Sequence, residues 1–286
     1  NQSSPFIKHI ISNKEHLIKV NQTLKEPLTI TIEAEKGVVN ANLNITIEQN
    51  CQAKVIIKRL CKEVSYNETI EILAQENSSV TLTTINNFDN ESIVNQIRKT
   101  TLEKNSLIKQ ADIIYQGKYF KEFLVNKLSG EGASSKASVI YLAKDEQQYD
   151  IYTASVHEGK NTTSNMITKG VVSDKAKALS HGLVRIEKSA SGSNGYETQD
   201  ALLLSDYAEA DAIPNLEIEN NDVKCSHGST VGQIDKEKIF YLMSRGLSEK
   251  QAKQKIIEGY FSQVVLELND EEISEKIYSH ISDFVK

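Results

Sequence analysis

From about residue 17 the apolar residues alternate with polar ones in short pieces. Leu28, Ile30 and Ile32 form one set, and Leu43, Ile45 and Ile47 the next. Val55 and Ile57, Ile70 and Ile72, and Val80 and Leu82 continue it. Alternation of this kind predicts strands with one face buried, because successive side chains point to opposite sides of a strand. Polar or small breaks separate the pieces: Glu48-Gln-Asn-Cys51, Gln75-Glu-Asn-Ser78, Glu103-Lys-Asn-Ser106, Gly130-Glu-Gly132 and Glu158-Gly-Lys-Asn161. With Asn50, Asn77, Asn105, Gly132 and Lys160 as landmarks, the steps are 27, 28, 27 and 28 residues. A sustained period of this size marks a solenoid in which each coil stacks on the last. Short turns without intervening helices favour a parallel β-helix over a propeller. After residue 170 the register loosens, yet Val184 and Ile186, Leu202 to Leu204, and Leu216 and Ile218 keep strand character. Ser191-Gly-Ser-Asn-Gly195 reads as a loop. No linker divides residues 20 to 225.

After Gly232 the period changes to about 3.6. Asp235 is placed to cap a helix carrying Ile239, Leu242 and Met243, which ends near Gly246. Ser248 and Gln251 have the form of a capping box, followed by a stripe of Ala252, Ile256, Tyr260 and Val264. Asn269 and Glu272 repeat the box ahead of Ile273, Ile277, Ile281 and Phe284. The expected division is a β-helix core over 1–231 and a small C-terminal helical domain over 232–286. The simplest role for the helices is to close the open end of the solenoid, which would otherwise expose strand edges.

Composition narrows the function classes. Aromatic content is 6%, with no Trp and three Pro, which suits a repetitive fold of small and β-branched residues. The net charge is −6 with the two signs interspersed, so nucleic acid is not an expected partner. No apolar run reaches membrane-spanning length. The start shows no signal peptide and no initiator Met, so the chain reads as a processed or truncated form of a cytoplasmic protein. Three cysteines at irregular spacing, Cys51, Cys61 and Cys225, argue against a disulfide framework.

The standard catalytic signatures are missing. There is no phosphate loop, no Gly-x-Ser-x-Gly elbow and no His-Glu-x-x-His pair, and Gly130-Glu-Gly132 reads as a tight turn. His157-Glu158 and His181-Gly182 read as solvated loop residues. Arg185 is expected to cover apolar surface or pair with Glu187. The chemistry concentrates in Asp222-Val-Lys-Cys-Ser-His-Gly-Ser-Thr-Val-Gly232, where strands give way to helices. On an extended chain residues two apart face the same side, so Cys225 and His227 present a thiol and an imidazole together. Two donors do not close a structural metal site. Two function classes stay open from the residues alone. One is a β-helix hydrolase or lyase acting on acidic polysaccharide; the other is a scaffold with Cys225 and His227 as its reactive point.

The run 222–235, followed by Ile239-Phe-Tyr-Leu-Met-Ser-Arg-Gly246, resembles the C-terminal signature of the SufB/SufD family of SUF iron–sulfur cluster assembly scaffolds, in its SufD rather than its SufB form. Gln148-Tyr-Asp150, His157 and Lys169-Gly170 resemble the family's middle region. The resemblance implies a right-handed parallel β-helix followed by a helical C-terminal domain, and a scaffold rather than an enzyme. It implies pairing with SufB through the β-helix, the ATPase SufC on the C-terminal helices, and a transient iron–sulfur cluster held between subunits. His227 would offer imidazole to iron, with Cys225 as a nearby thiolate. Phe240, Tyr241 and Arg245 resemble the family's most recognisable helix and imply a partner surface, although Phe240 equally suits a core position. Exposed strand edges would also let the isolated chain form a homodimer. Longer members carry an N-terminal helical region, whereas strands begin here almost at once.

Overall fold

The computed structural model describes residues 7–9, 14–268 and 270–285. Odd-numbered strands form one sheet, in the order β1 (Ile7–His9), β3 (Leu28–Ala34), β5 (Gln52–Cys61), β7 (Ser79–Phe88), β9 (Leu107–Ile114), β11 (Ser134–Ala143), β13 (Thr163–Val172), β15 (Asn194–Leu203) and β17 (Lys224–Gln233). Even-numbered strands form the other. These are β2 (Glu15–Val20), β4 (Gly37–Ile47), β6 (Val64–Ala74), β8 (Ile93–Leu102), β10 (Tyr119–Leu128), β12 (Gln148–His157), β14 (Lys177–Ile186) and β16 (Glu209–Ile218). All pairings are parallel, so the chain is a two-sheet parallel β-solenoid. The anticipated apolar sets face inward: Ile30, Ile32, Leu43, Ile45, Ile47, Val55 and Ile57 are at most 2% exposed.

The period follows from the turns. Asn50, Asn77, Asn105 and Gly132 all have positive φ, a conformation that Asn and Gly tolerate best. Each of these residues donates its backbone N–H to a carbonyl of the next turn, as in Asn77 N to Lys104 O at 2.9 Å. The Asn side chains form a second ladder, Asn105 Nδ2 to Asn77 Oδ1 at 3.2 Å and Asn77 Nδ2 to Asn50 Oδ1 at 3.3 Å. In this column of turns the next left-handed residue is Asn161, one past the Lys160 landmark. Pairing there shifts from Ser134 to Thr163, a step of 29, and then to Asn194, a step of 31. The longer turns are the physical form of the loosening after residue 170. The expected loop 191–195 ends earlier than its glycine suggests, because Gly195 is already within β15.

Arg59 continues the inward set after Val55 and Ile57, and its buried guanidinium pairs with Glu68 and donates to Asn86 Oδ1 at 2.9 Å. Arg98 grips Asp112 with two hydrogen bonds of 2.7 Å and reaches Glu122 at 3.4 Å. Burial, reinforced by the charge of Asp112, pushes the Glu122 carboxyl up to about 8. Alternation alone gives no sign that charged residues occupy these inward positions.

Three helices follow: α1 (Lys236–Ser244), α2 (Glu249–Leu268) and α3 (Glu271–Phe284). Asp235 caps α1, and Ser248 with Gln251 makes the expected box, with bonds of 2.8 and 3.3 Å. Asn269, expected as the third cap, lies outside the described residues; Asp270 accepts from Ile273 N at 3.1 Å and caps α3. The α3 stripe is buried as expected, while α2 turns Ile257 and Phe261 inward more than Ile256 and Tyr260.

The helices do not close the end of the solenoid. They lie along the outer face of the odd-numbered sheet, where Ile257, Phe261, Ile277 and Ile281 pack on Ile85, Ile113, Ile140 and Ile167. The reason is in those strands. From mid-strand onward β7, β9, β11 and β13 each turn an isoleucine outward, and this apolar patch needs a cover. Lys169 Nζ lies 4.7 Å from the Tyr260 ring centre, Tyr115 stacks on His280, and Lys136 pairs with Glu267 at 2.6 Å. The last coil, β16 and β17, is left with one paired edge on each strand.

Candidate functional site

Strand β17 pairs with β15 so that Cys225 sits beside Gly195 and His227 beside Glu197. Gly195 and Glu197 are inward-facing and buried. Cys225 and His227 therefore belong to the inward column too. No later coil covers them, so Cys225 is half-buried and His227 exposed. Cys225 packs against the small apolar cluster of Met166, Val184 and Ile186. Burial, with the charge of Glu197 adding to it, raises its thiol pKa. An imidazole and a thiol side by side are donors that suit iron. Among the described residues, no group of three or more His, Cys, Asp or Glu side chains is arranged to hold a metal ion.

Glu197, beneath His227, did not stand out in the sequence. Gln199 Nε2 donates to its Oε1 at 2.6 Å, while its buried Oε2 has no hydrogen-bond partner. Burial pushes this carboxyl up to about 7. Its space comes from the opposite sheet, where a β-carbon at Gly182 would lie 1.2 Å from Glu197 Oε1. The available signal was the register: Glu197 stands one coil, 30 residues, before His227.

His157 and His181 need correction. His157 ends β12 with its ring fully buried, Nδ1 2.7 Å from Thr162 Oγ1 and Nε2 2.8 Å from Ser164 Oγ. The turn begins one residue later, and the two hydroxyls satisfy both ring nitrogens. Burial lowers the His157 pKa to about 4. His181 lies within β14, half-buried on the outer face. Arg185 pairs with Glu187 at 2.8 Å, as expected. Lys169-Gly170 is structural: a β-carbon at Gly170 would strike the Tyr141 ring at 1.8 Å, and Lys169 Nζ donates to Tyr260 O at 3.3 Å. Cys51 and Cys61 are buried and unpaired.

On α1, Phe240 and Tyr241 are 74% and 57% exposed, so Phe240 is not a core residue. The Arg245 guanidinium lies 5.3 Å from the Tyr241 ring centre. Tyr241 and Arg245 thus share one uncovered face, with Phe240 exposed beside it.

Fold and site together define a parallel β-solenoid whose final coil presents an uncovered thiol–imidazole pair. Residues 30–260 match the family model described as SUF system FeS cluster assembly, SufBD core domain. The chain belongs to this family and is SufD-like. It is 36% identical to the iron–sulfur cluster assembly protein SufD of Escherichia coli K12 over 155 residues, 54% of this chain and 37% of that protein. It is 30% identical to SufD of Bacillus subtilis 168 over 228 residues, 79% of this chain and 52% of that protein. A SufBD family protein of Mycobacterium tuberculosis H37Rv is 26% identical over 262 residues, 89% of this chain and 66% of that protein. The chain thus spans less than two thirds of the length of each. No helix among the described residues is long and apolar enough to cross a membrane.

Proposed function

We propose that this chain is a non-catalytic scaffold in SUF iron–sulfur cluster assembly, working in the cytoplasm. The observation that carries the reading is the last coil, where His227 and Cys225 lie uncovered beside two strands with free edges. A nascent cluster is the cargo. His227 supplies imidazole and Cys225 thiolate, and a SufB subunit docking on the free edges supplies further donors. Strand edges of this kind recruit partners by main-chain hydrogen bonds, and self-pairing of the isolated chain would use the same surface. The C-terminal helices over 232–286 form the unit that carries the SufC ATPase, with Phe240, Tyr241 and Arg245 as its contact. Aromatic and arginine side chains are the usual anchors of protein interfaces. Family membership favours this reading over polysaccharide cleavage, and the form of the 222–246 run favours it over a SufB-like paralogue.

The test is anaerobic co-expression with SufB and SufC, followed by iron and sulfide analysis. His227→Ala is expected to lower cluster content severalfold with ATP hydrolysis little changed; wild-type cluster content would remove the site. Arg245→Glu is expected to weaken SufC capture with the fold intact, and unchanged affinity by calorimetry would remove that contact.

A further inference from the structure

The orphaned oxygen of Glu197 stands out among the buried groups because of what lies above it. Neighbouring strands are about 4.8 Å apart, and Glu197 and His227 are register partners on the same face. An extended carboxylate spans that separation easily. One of its oxygens is already committed to Gln199, which is itself held by Ser180 Oγ at 3.2 Å. That leaves Oε2 as the free acceptor. A buried carboxylate with an unused oxygen is costly. Here the opposite strand also forgoes a side chain at Gly182 to accommodate it. An apolar residue at 197 would avoid both costs, so the arrangement calls for a function.

Resting on the proposed role of His227, we infer that Glu197 is its positioning residue: Oε2 accepts the imidazole Nδ1–H, which fixes the tautomer and leaves the Nε2 lone pair for iron. Metal-binding histidines generally donate their second ring nitrogen to a carboxylate or carbonyl, which sets ring orientation and basicity. In this chain the carboxylate is preplaced one coil below the ligand. Gln199 and Ser180 lock the acceptor, and Gly182 gives it room.

The test reads the tautomer directly. In the full chain labelled with 15N-histidine, long-range proton–nitrogen correlations at alkaline pH distinguish Nδ1–H from Nε2–H, and His227→Gln identifies the signal among the six histidines. A free neutral imidazole favours Nε2–H. The wild-type chain is expected to show His227 mainly as Nδ1–H. Glu197→Leu removes the acceptor and should return the ring to Nε2–H. Glu197→Gln is sharper: its amide oxygen stays with Gln199, and its NH2 group then points at the ring and donates to Nδ1. It should therefore give Nε2–H in a chain that keeps the wild-type fold. Wild-type tautomer populations in both variants would overturn the assignment. In the co-expressed complex, Glu197→Gln is expected to cut cluster content severalfold. An unchanged tautomer alongside cluster loss in His227→Ala overturns the Glu197 role alone. A switched tautomer alongside wild-type cluster content in His227→Ala overturns the site reading beneath it.

Discussion

Two buried carboxylate sites sit in the same solenoid interior and are built in opposite ways. In the middle coils, Asp112 and Glu122 surround Arg98, and Glu68 meets Arg59 and the Tyr66 hydroxyl. Arg59 and Arg98 there each have an acid partner, Glu68 and Asp112, while burial pushes Glu122 towards its neutral form. One coil before the last, on β15, Glu197 has no cation and a single hydrogen bond. Both sites are buried, but the middle one has coils on both sides, whereas only β17, with the exposed His227 as register partner, lies beyond Glu197. The difference separates structure from chemistry. Arginines offset the buried acids of the middle coils, whereas Glu197 has no such offset, and the role proposed for it is to hold His227.

The comparison breaks most severely at Arg98. Arg98→Met leaves Asp112 buried without its cation, and removing one partner of a buried ion pair costs about 3–5 kcal/mol. A denaturant midpoint close to wild type would show that the pairing is not what makes the middle coils tolerable. The Glu197 site is probed at Gly182. Gly182→Ala forces a β-carbon into Glu197 and is expected to cost about 1–3 kcal/mol by overpacking. Most of that cost should vanish in the double variant with Glu197→Ala. Simple additivity of the two changes would mean that Gly182 makes no room for the acid.

Titration gives a graded effect, with opposite signs for two groups. His157 has its folded pKa lowered to about 4 from the usual 6.5. The unfolded chain therefore holds the extra proton between those values, and stability is lost as pH falls through that window. Glu122 is raised to about 8, so the folded chain holds the extra proton and stability declines as pH rises from the ordinary carboxylate range towards 8. Each slope is at most about 1.4 kcal/mol per pH unit. His157→Gln should flatten the acid limb and Glu122→Gln the alkaline one, in urea melts across pH 4 to 8. If neither limb responds, burial does not hold these groups neutral.

The fold was legible because its two signals are local. Alternation in Leu28–Ile32 or Leu43–Ile47 reports a strand wherever it sits, and left-handed Asn and Gly residues mark the turns. The placement of the helices was not legible. The outward apolar residues Ile85, Ile113, Ile140 and Ile167 interrupt alternation and read as noise until a second layer is seen on them. His157 was misread because a histidine beside Glu158-Gly159 looks like a turn, and its partners Thr162 and Ser164 come from the next strand and the turn before it. Cys225 and His227 were singled out by spacing and resemblance. Glu197 was missed because its relation to His227 exists only across a strand pair. Chemistry written along one strand is readable in a sequence, and chemistry written across coils needs the register.

On the proposed reading a second subunit completes the site at the uncovered last coil, and the three cysteines offer a direct test. Maleimide labelling followed by mass spectrometry measures each thiol separately. In the isolated chain at concentrations too low for self-pairing, Cys225 should react while buried Cys51 and Cys61 stay unmodified. With SufB bound, labelling at Cys225 is expected to slow by at least tenfold. The same Cys225 rate with and without that subunit would contradict the claim.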